Sequence, residues 1–255
     1  MLFCKGNVFF YICIAMKLTY VYHSGFAIEG DGFSIVIDYY KDSSGNYSSG
    51  VVHDRLLKRP GRLYVLASHA HPDHFNPQIL EWGDERGDIC YVLSKDISDR
   101  RKVEGKKVVW LNKGDVYTDD RLSIRAFGST DIGISILIEA RGKTIFHAGD
   151  LNNWHWKEES TPEEVHEAEA AFLKELDDIA SYTKAVDVAI FPVDPRLGKE
   201  YMLGARQFID CIKTGLFVPM HFGEAYKEAN AFEGYAVSKG CRFFIITAKG
   251  EEMEV

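Results

Sequence analysis

Residues 68–75 read SHAHPDHF and place His69, His71, Asp73 and His74 within six positions. Imidazoles and carboxylates are the usual ligands of a borderline cation such as zinc. The cluster follows RLYVLAS, an apolar run that reads as a buried strand, and in an extended segment His69 and His71 point the same way. Pro72 breaks the strand, so Asp73 and His74 can turn toward a second point, and one segment can serve two cations. The competing reading is a polar surface loop that happens to hold three of the nine histidines. It is disfavoured because imidazoles this dense usually have a metal or catalytic reason. Two later positions fit the same scheme. KTIFHAGD ends a strand at Gly149-Asp150, where glycine permits a tight turn and Asp150 can bridge two cations, and LFVPMH ends another strand at His221.

The elements that must position these groups are strand-rich. LTYVY, FAIE and SIVIDYY are short alternating or β-branched runs, with Gly30-Asp31-Gly32 as the turn between the last two. Residues 42–50 form a glycine-serine loop. CYVLS, KVVWL, RLSIRAF, ISILIEA and KTIFHAG predict further strands, and VDVAIFPV another buried one. Thr161-Pro162-Glu163-Glu164 is a capping signature with proline at the first helical position, and Val165, Ala168, Phe172, Leu176 and Ile179 follow at helical spacing. Residues 205–214 read as a helix stopped by Gly215, with FVPM a strand after it. A last helix over 224–239 and a strand RFFIIT close the chain. Two runs of strands, each followed by helices, predict two sheets packed face to face with helices outside.

HAHPDH matches the HxHxDH signature of the metallo-β-lactamase superfamily, and Asp150 and His221 match its later ligand positions in order. The chain resembles that superfamily from about Lys17 onward, and YHSGF with IVIDYY resembles the first hairpin of its ascorbate-6-phosphate lactonase-like branch. The resemblance implies an α/β fold, a four-layer αββα sandwich of two mixed sheets. It implies two divalent cations, zinc first, with manganese or iron as alternatives. His69 and His71 would hold the first, Asp73, His74 and His221 the second, and Asp150 would bridge them. It further implies hydrolysis by a metal-bound hydroxide, with Asp73 orienting the nucleophile. One departure stands out. The family supplies another histidine to the first metal between HxHxDH and GD, yet residues 75–146 contain none. GSTDIG occupies that place, leaving Asp131 or Thr130 as the substitute.

Family subtypes narrow the reading. Only 71 positions separate Asp150 from His221, too few for the inserted domain of β-CASP nucleases. His71 stands where di-iron flavoproteins carry glutamate, Asp150 where the commonest lactamases carry cysteine, and no helical extension of the glyoxalase II kind follows His221. A metal-dependent hydrolase acting on a small ester-like bond remains, with a lactone, thioester or phosphodiester as substrate. The competing class is a metal-binding or regulatory protein that keeps the fold with little turnover. Arg196, Lys199 and Arg206 lie close in sequence, and Arg196 suits an anionic substrate group, unless it is simply paired with Asp194. Trp154 and Trp156 beside His155 read as an aromatic pocket wall. His147 is expected behind the ligands. His23 can approach the site but is not counted as a ligand, and His53 and His166 read as surface residues.

The 255-residue chain is 46% hydrophobic and 27% charged, which excludes a disordered or collagenous chain. Its net charge of −8 without a basic block disfavours nucleic-acid and anionic-membrane partners. Five scattered cysteines give no disulfide framework and fit a reducing, cytoplasmic setting. Residues 8–15 are continuously apolar but lack a cleavage site. Residues 1–15 are therefore read as an upstream extension and 16–255 as one hydrolase domain. Deleting residues 1–15 should leave solubility, metal content and activity unchanged; a truncated protein that aggregates or loses metal would show the leader to be an integral strand.

Overall fold

The computed structural model describes residues 16–100, 103 and 107–255, so the reading of residues 1–15 lies outside the described residues. The first sheet is built from β1 (Lys17–Tyr22), β2 (Gly25–Gly30), β3 (Phe33–Ile37), β4 (Arg62–Ala67), β5 (Ile89–Ser94) and β6 (Val108–Leu111). The second contains β7 (Val116–Thr118), β8 (Leu122–Phe127), β9 (Ser135–Ala140), β10 (Lys143–His147), β11 (Ala185–Pro192), β12 (Lys213–Met220) and β13 (Arg242–Phe243), in the order β13-β12-β11-β10-β9-β8-β7. A last strand, β14 (Glu252–Glu254), returns antiparallel to the edge of β1, giving each sheet seven strands. Both sheets are mixed, with β3 to β6 parallel in one and β10 to β13 parallel in the other.

The parallel strands β3 and β4 are largely apolar on both faces because both faces are covered, the usual reason such strands lack a polar side. Along β3, Ile35 and Ile37 join the core between the sheets, while Val36 faces the outer layer with Val52, Leu56 and Trp82. β4 divides in the same way, with Tyr64 and Leu66 inward and Leu63, Val65 and Ala67 outward. Over the second sheet lies the helix Pro162–Tyr182, started by the expected capping box between Thr161 and Glu164, and Phe172, Leu176 and Ile179 bury its inner face. This is the αββα sandwich the resemblance implies. Among the described residues no helix is long and apolar enough to cross a membrane.

Several local readings need correction. The helix over 205–214 runs instead from Leu203 to Cys211, and Gly215 does not stop it. Gly215 lies within β12, where a side chain would sit 2.7 Å from the Asp187 carbonyl of neighbouring β11, so glycine serves close strand approach. The helix over 224–239 is two short helices, Tyr226–Asn230 and Glu233–Ser238. Only Arg242 and Phe243 of RFFIIT pair as a strand, because the Asn230 side chain takes both backbone groups of Ile246.

The topology gathers the chemistry at one rim. The segments leaving β3, β4, β10, β11 and β12 carry Asp38, residues 69–74, Asp150, Asp194 and His221, while the β1–β2 turn brings His23 and the approach to β9 brings Asp131. Residues beyond the carboxyl ends of parallel strands are the general location of α/β sites. The 128–134 loop is locked against this rim: Ile134 N–H donates to the Ser68 carbonyl at 3.0 Å. Gly133, at φ 79°, has no room for a side chain, since a Cβ would lie 2.1 Å from the Ser68 carbonyl oxygen and 2.4 Å from His69 Cβ. Gly133→Ala should destabilise the metal-free protein by about 1–3 kcal/mol through backbone strain, and it should reduce metal uptake by displacing Asp131. An unchanged denaturation midpoint would contradict this account of the loop.

Candidate metal centre

β4 ends at Ala67, so His69 and His71 leave the sheet rather than ride on the strand. Their convergence comes from a turn, in which His74 and Phe75 N–H both donate to the His71 carbonyl at 3.0 and 2.9 Å. The turn brings His69 Nε2 to 3.0 Å from His71 Nδ1 and swings Asp73 away.

Two groups of ligand atoms result. One comprises His69, His71, Asp131 and Asp150, the other His23, Asp73, His74 and His221, and within each the atoms lie no more than 4.8 Å apart. Asp150 faces both. Its Oδ2 is 3.3 Å from His69 Nε2, while its Oδ1 is 3.0 Å from His74 Nε2 and 3.2 Å from His221 Nε2. His74 Nε2, His221 Nε2 and Asp150 Oδ1 are all buried without a hydrogen-bond partner. Buried polar atoms are rarely orphaned, and three aimed at one point, together with this donor set, fit a divalent cation. Asp131 reaches the first group, with Oδ2 3.4 Å from His71 Nδ1. Thr130, the other substitute considered, has its hydroxyl engaged, donating to the Asn152 carbonyl at 2.6 Å and accepting from Asn152 N–H at 3.0 Å.

The orienting partners settle which nitrogens are free. Asp38 is fully buried and accepts from Ser68 N–H, from Ser68 Oγ and from His74 Nδ1, each at 2.7 Å. Because the Ser68 hydroxyl donates to Asp38, it accepts from His69 Nδ1–H, 2.9 Å away. His221 Nδ1 donates to Asp194 Oδ2 at 2.9 Å. Each imidazole is thereby held by Nδ1 with Nε2 turned toward the centre, the orientation that metal-binding histidines need. His23 differs. Its Nδ1 accepts from Gly223 N–H at 3.1 Å, so in the neutral ring the proton sits on Nε2, 3.3 Å from Asp73 Oδ2. The geometry places His23 in the second group, but its tautomer makes it a donor that aims Asp73.

The electrostatics follow from crowding. Burial alone would push Asp150 up, but His74, His69 and His221 hold it well below the usual carboxylate range. Burial likewise opposes ionisation of Asp73, and His23, His74 and His221 outweigh it. Asp194 is held near 2, with His221 and Arg196 offsetting its burial. His74 shows the opposite balance: burial favours the neutral ring, yet Asp150 and Asp38 push it up to about 10. The pocket calls for positive charge at that nitrogen, which a cation would supply in place of a proton.

Other expected residues fall into place around this centre. His147 lies behind it, buried, with Nε2–H donating to the Ser24 carbonyl at 2.9 Å. His155 is not a pocket wall; it is buried and bonded to the Glu200 carbonyl, and Trp154 and Trp156 line the pocket instead. His166 is exposed as expected, whereas His53 is half-buried against Asp42 at 2.8 Å. Arg196 is paired with Asp194 and also lines the pocket. Sequence reading missed Asp38 and Ser68 and treated Asp194 only as an arginine partner. The available signal was positional: each follows an apolar run, at a strand end, on the rim that carries the ligands.

A family model described as a beta-lactamase superfamily domain matches residues 17–221, and the chain belongs to that family. Among its relatives is a UPF0173 metal-dependent hydrolase of Pyrococcus abyssi, 23% identical over 255 residues that span 94% of this chain and 100% of that one. Another, from Anoxybacillus flavithermus, is 24% identical over 225 residues, 81% of this chain and 86% of its own. Among solved structures, Igni18, a metallo hydrolase from Ignicoccus hospitalis, superposes with a TM-score of 0.68 at 23% identity, covering 94% of this chain and 98% of that one. CmlA, a diiron β-hydroxylase from Streptomyces venezuelae, reaches 0.64 at 14% identity over 94% of this chain and 54% of its own. At such identities these structures establish the fold.

Asp38→Asn should keep the shape but free His74 and Ser68 to turn, weakening metal affinity by about 10–100-fold, the usual loss when an orienting partner is removed. Competition against a chelator of known affinity measures it, and an unchanged affinity would show that Asp38 serves packing alone.

Proposed function

We propose that this chain, a metal-dependent hydrolase of the metallo-β-lactamase fold, works with two divalent cations that share Asp150 and cleaves an ester-like bond (lactone, thioester or phosphodiester) in a small molecule. The observation that carries this reading is the division of ligand atoms on either side of one carboxylate, with orphaned buried atoms aimed at the second position. Divalent cations held there would supply a hydroxide nucleophile near neutral pH and would polarise the bond to be cleaved.

The residues contribute the rest. His69, His71 and Asp131 would hold the first cation, and Asp73, His74 and His221 the second. Asp73, aimed by His23, would also accept a hydrogen bond from the attacking group and fix its direction. The 530 Å³ pocket over Asp150 has the size of a small-molecule site, and Trp154 and Trp156 give it an apolar wall. Asp131 in place of a third imidazole makes the first cation position harder and more negative, which suits manganese and iron as well as zinc.

Two measurements test this together. Chelation should abolish hydrolysis across a panel of lactone, thioester and phosphodiester substrates, and added zinc, manganese or iron should restore it for one class. Asp131→Ala should bind one ion fewer per chain at equal free metal, while Asp131→His should recover it. Unchanged stoichiometry in Asp131→Ala removes that carboxylate from the ligand set, and a chelated enzyme of full activity removes the mechanism.

A further inference from the structure

Arg196 is held in an unusual way for an exposed arginine. Its Nε lies 2.9 and 3.0 Å from the two carboxylate oxygens of Asp194, and Nη2 lies 2.5 Å from Oδ2. The same Asp194 oxygen receives His221 Nδ1–H, and Arg196 Nη2 is 3.3 Å from that nitrogen. Asp194 is almost fully buried, whereas the arginine side chain remains 63% exposed. One edge of the guanidinium is therefore clamped on a fixed carboxylate. No hydrogen bond among the described residues uses Nη1, and the residue lines the pocket over Asp150.

Beside this edge runs an aromatic row. The Trp154 ring lies 5.5 Å from His221, and Trp156 stacks on Trp154 at 6.3 Å with 14° between their planes. Trp154 is fixed by its Nε1–H, which donates to the Asp150 carbonyl at 2.8 Å. Trp156 adopts φ 39°, a left-handed conformation that a bulky residue takes only where the surroundings hold it. That backbone keeps the second ring in the pocket wall.

We propose that the substrate is an anion with a flat apolar body: its carboxylate or phosphate binds the free edge of Arg196, and its body lies along Trp154 and Trp156, with the scissile bond over Asp150. A preorganised arginine loses little freedom on binding and suits anionic oxygens. Two indoles offer apolar area with a defined plane. The inference rests on the hydrolase reading above and adds the charge and shape of what is hydrolysed.

Binding to the metal-loaded protein tests it, followed through tryptophan emission with phenylacetate, phenyl phosphate and the neutral phenylacetamide. In the wild type at least one anion should bind about tenfold or more tightly than the amide, the scale of a charge-assisted hydrogen bond. Arg196→Gln should erase most of that ratio while leaving the amide affinity unchanged, and Arg196→Lys should keep part of it. Whichever anion depends on Arg196 identifies carboxylate or phosphate as the group recognised. Trp154→Ala should weaken all three probes alike. Equal binding of anion and amide in the wild type, or an Arg196→Gln loss shared equally by all probes, overturns the proposal. Metal per chain is measured on the same samples. A chain that takes up no metal overturns the hydrolase reading by itself, whereas the anion-to-amide ratio within each protein reads the arginine alone.

Discussion

The site depends on one fully buried carboxylate. Asp38 leaves β3 at φ 48° and collects three hydrogen bonds at 2.7 Å, two from Ser68 and one from His74. An ionised group in the interior costs several kcal/mol unless it is saturated with donors. Here the donors that satisfy it are the groups that must be aimed. Through His74 it orients a member of the second ligand-atom group, and through the Ser68 hydroxyl it orients His69 of the first. The two groups thus share a buried anchor as well as Asp150, whose carboxylate faces both.

The halves are not equivalent in their support. His74, His221 and Asp150 are buried among strand ends, with Asp38 and Asp194 behind them. His71 and Asp131 are more than two-fifths exposed, and Asp131 reaches the site only through a loop fitted against Ser68 and His69. The second position is part of the interior of the sandwich, and the first is completed at its surface. In the same pocket, Asp194 fixes His221 with one oxygen and clamps Arg196 with both, so a histidine of the second group and a pocket arginine share one support.

Much of this was legible in the sequence because it is local. HAHPDH, Asp150 and His221 fall at strand ends that apolar runs define, and the missing histidine points directly to GSTDIG. Two runs of strands, each followed by helices, pointed to two packed sheets, and the family resemblance implied the αββα order. What the sequence hid is non-local. The role of Asp38 requires β3 to pair in parallel with β4, which only the sheet reveals. His23 enters through a turn beside His221, and its backbone contact with Gly223 fixes its tautomer. Gly215 resembled a helix stop because its contact lies in β11 rather than along its own chain. Asn230 replaced a sheet partner for Ile246, which shortened a strand that composition alone would extend.

The central claim is that Asp150 divides two cation positions, each completed by histidines held from behind. A crystal grown with zinc, with data collected on both sides of the zinc absorption edge, tests it most directly. The account predicts two anomalous peaks flanking the Asp150 carboxylate, one bounded by His69, His71 and Asp131 and the other by Asp73, His74 and His221. A single peak, or a second peak away from Asp150, would contradict it.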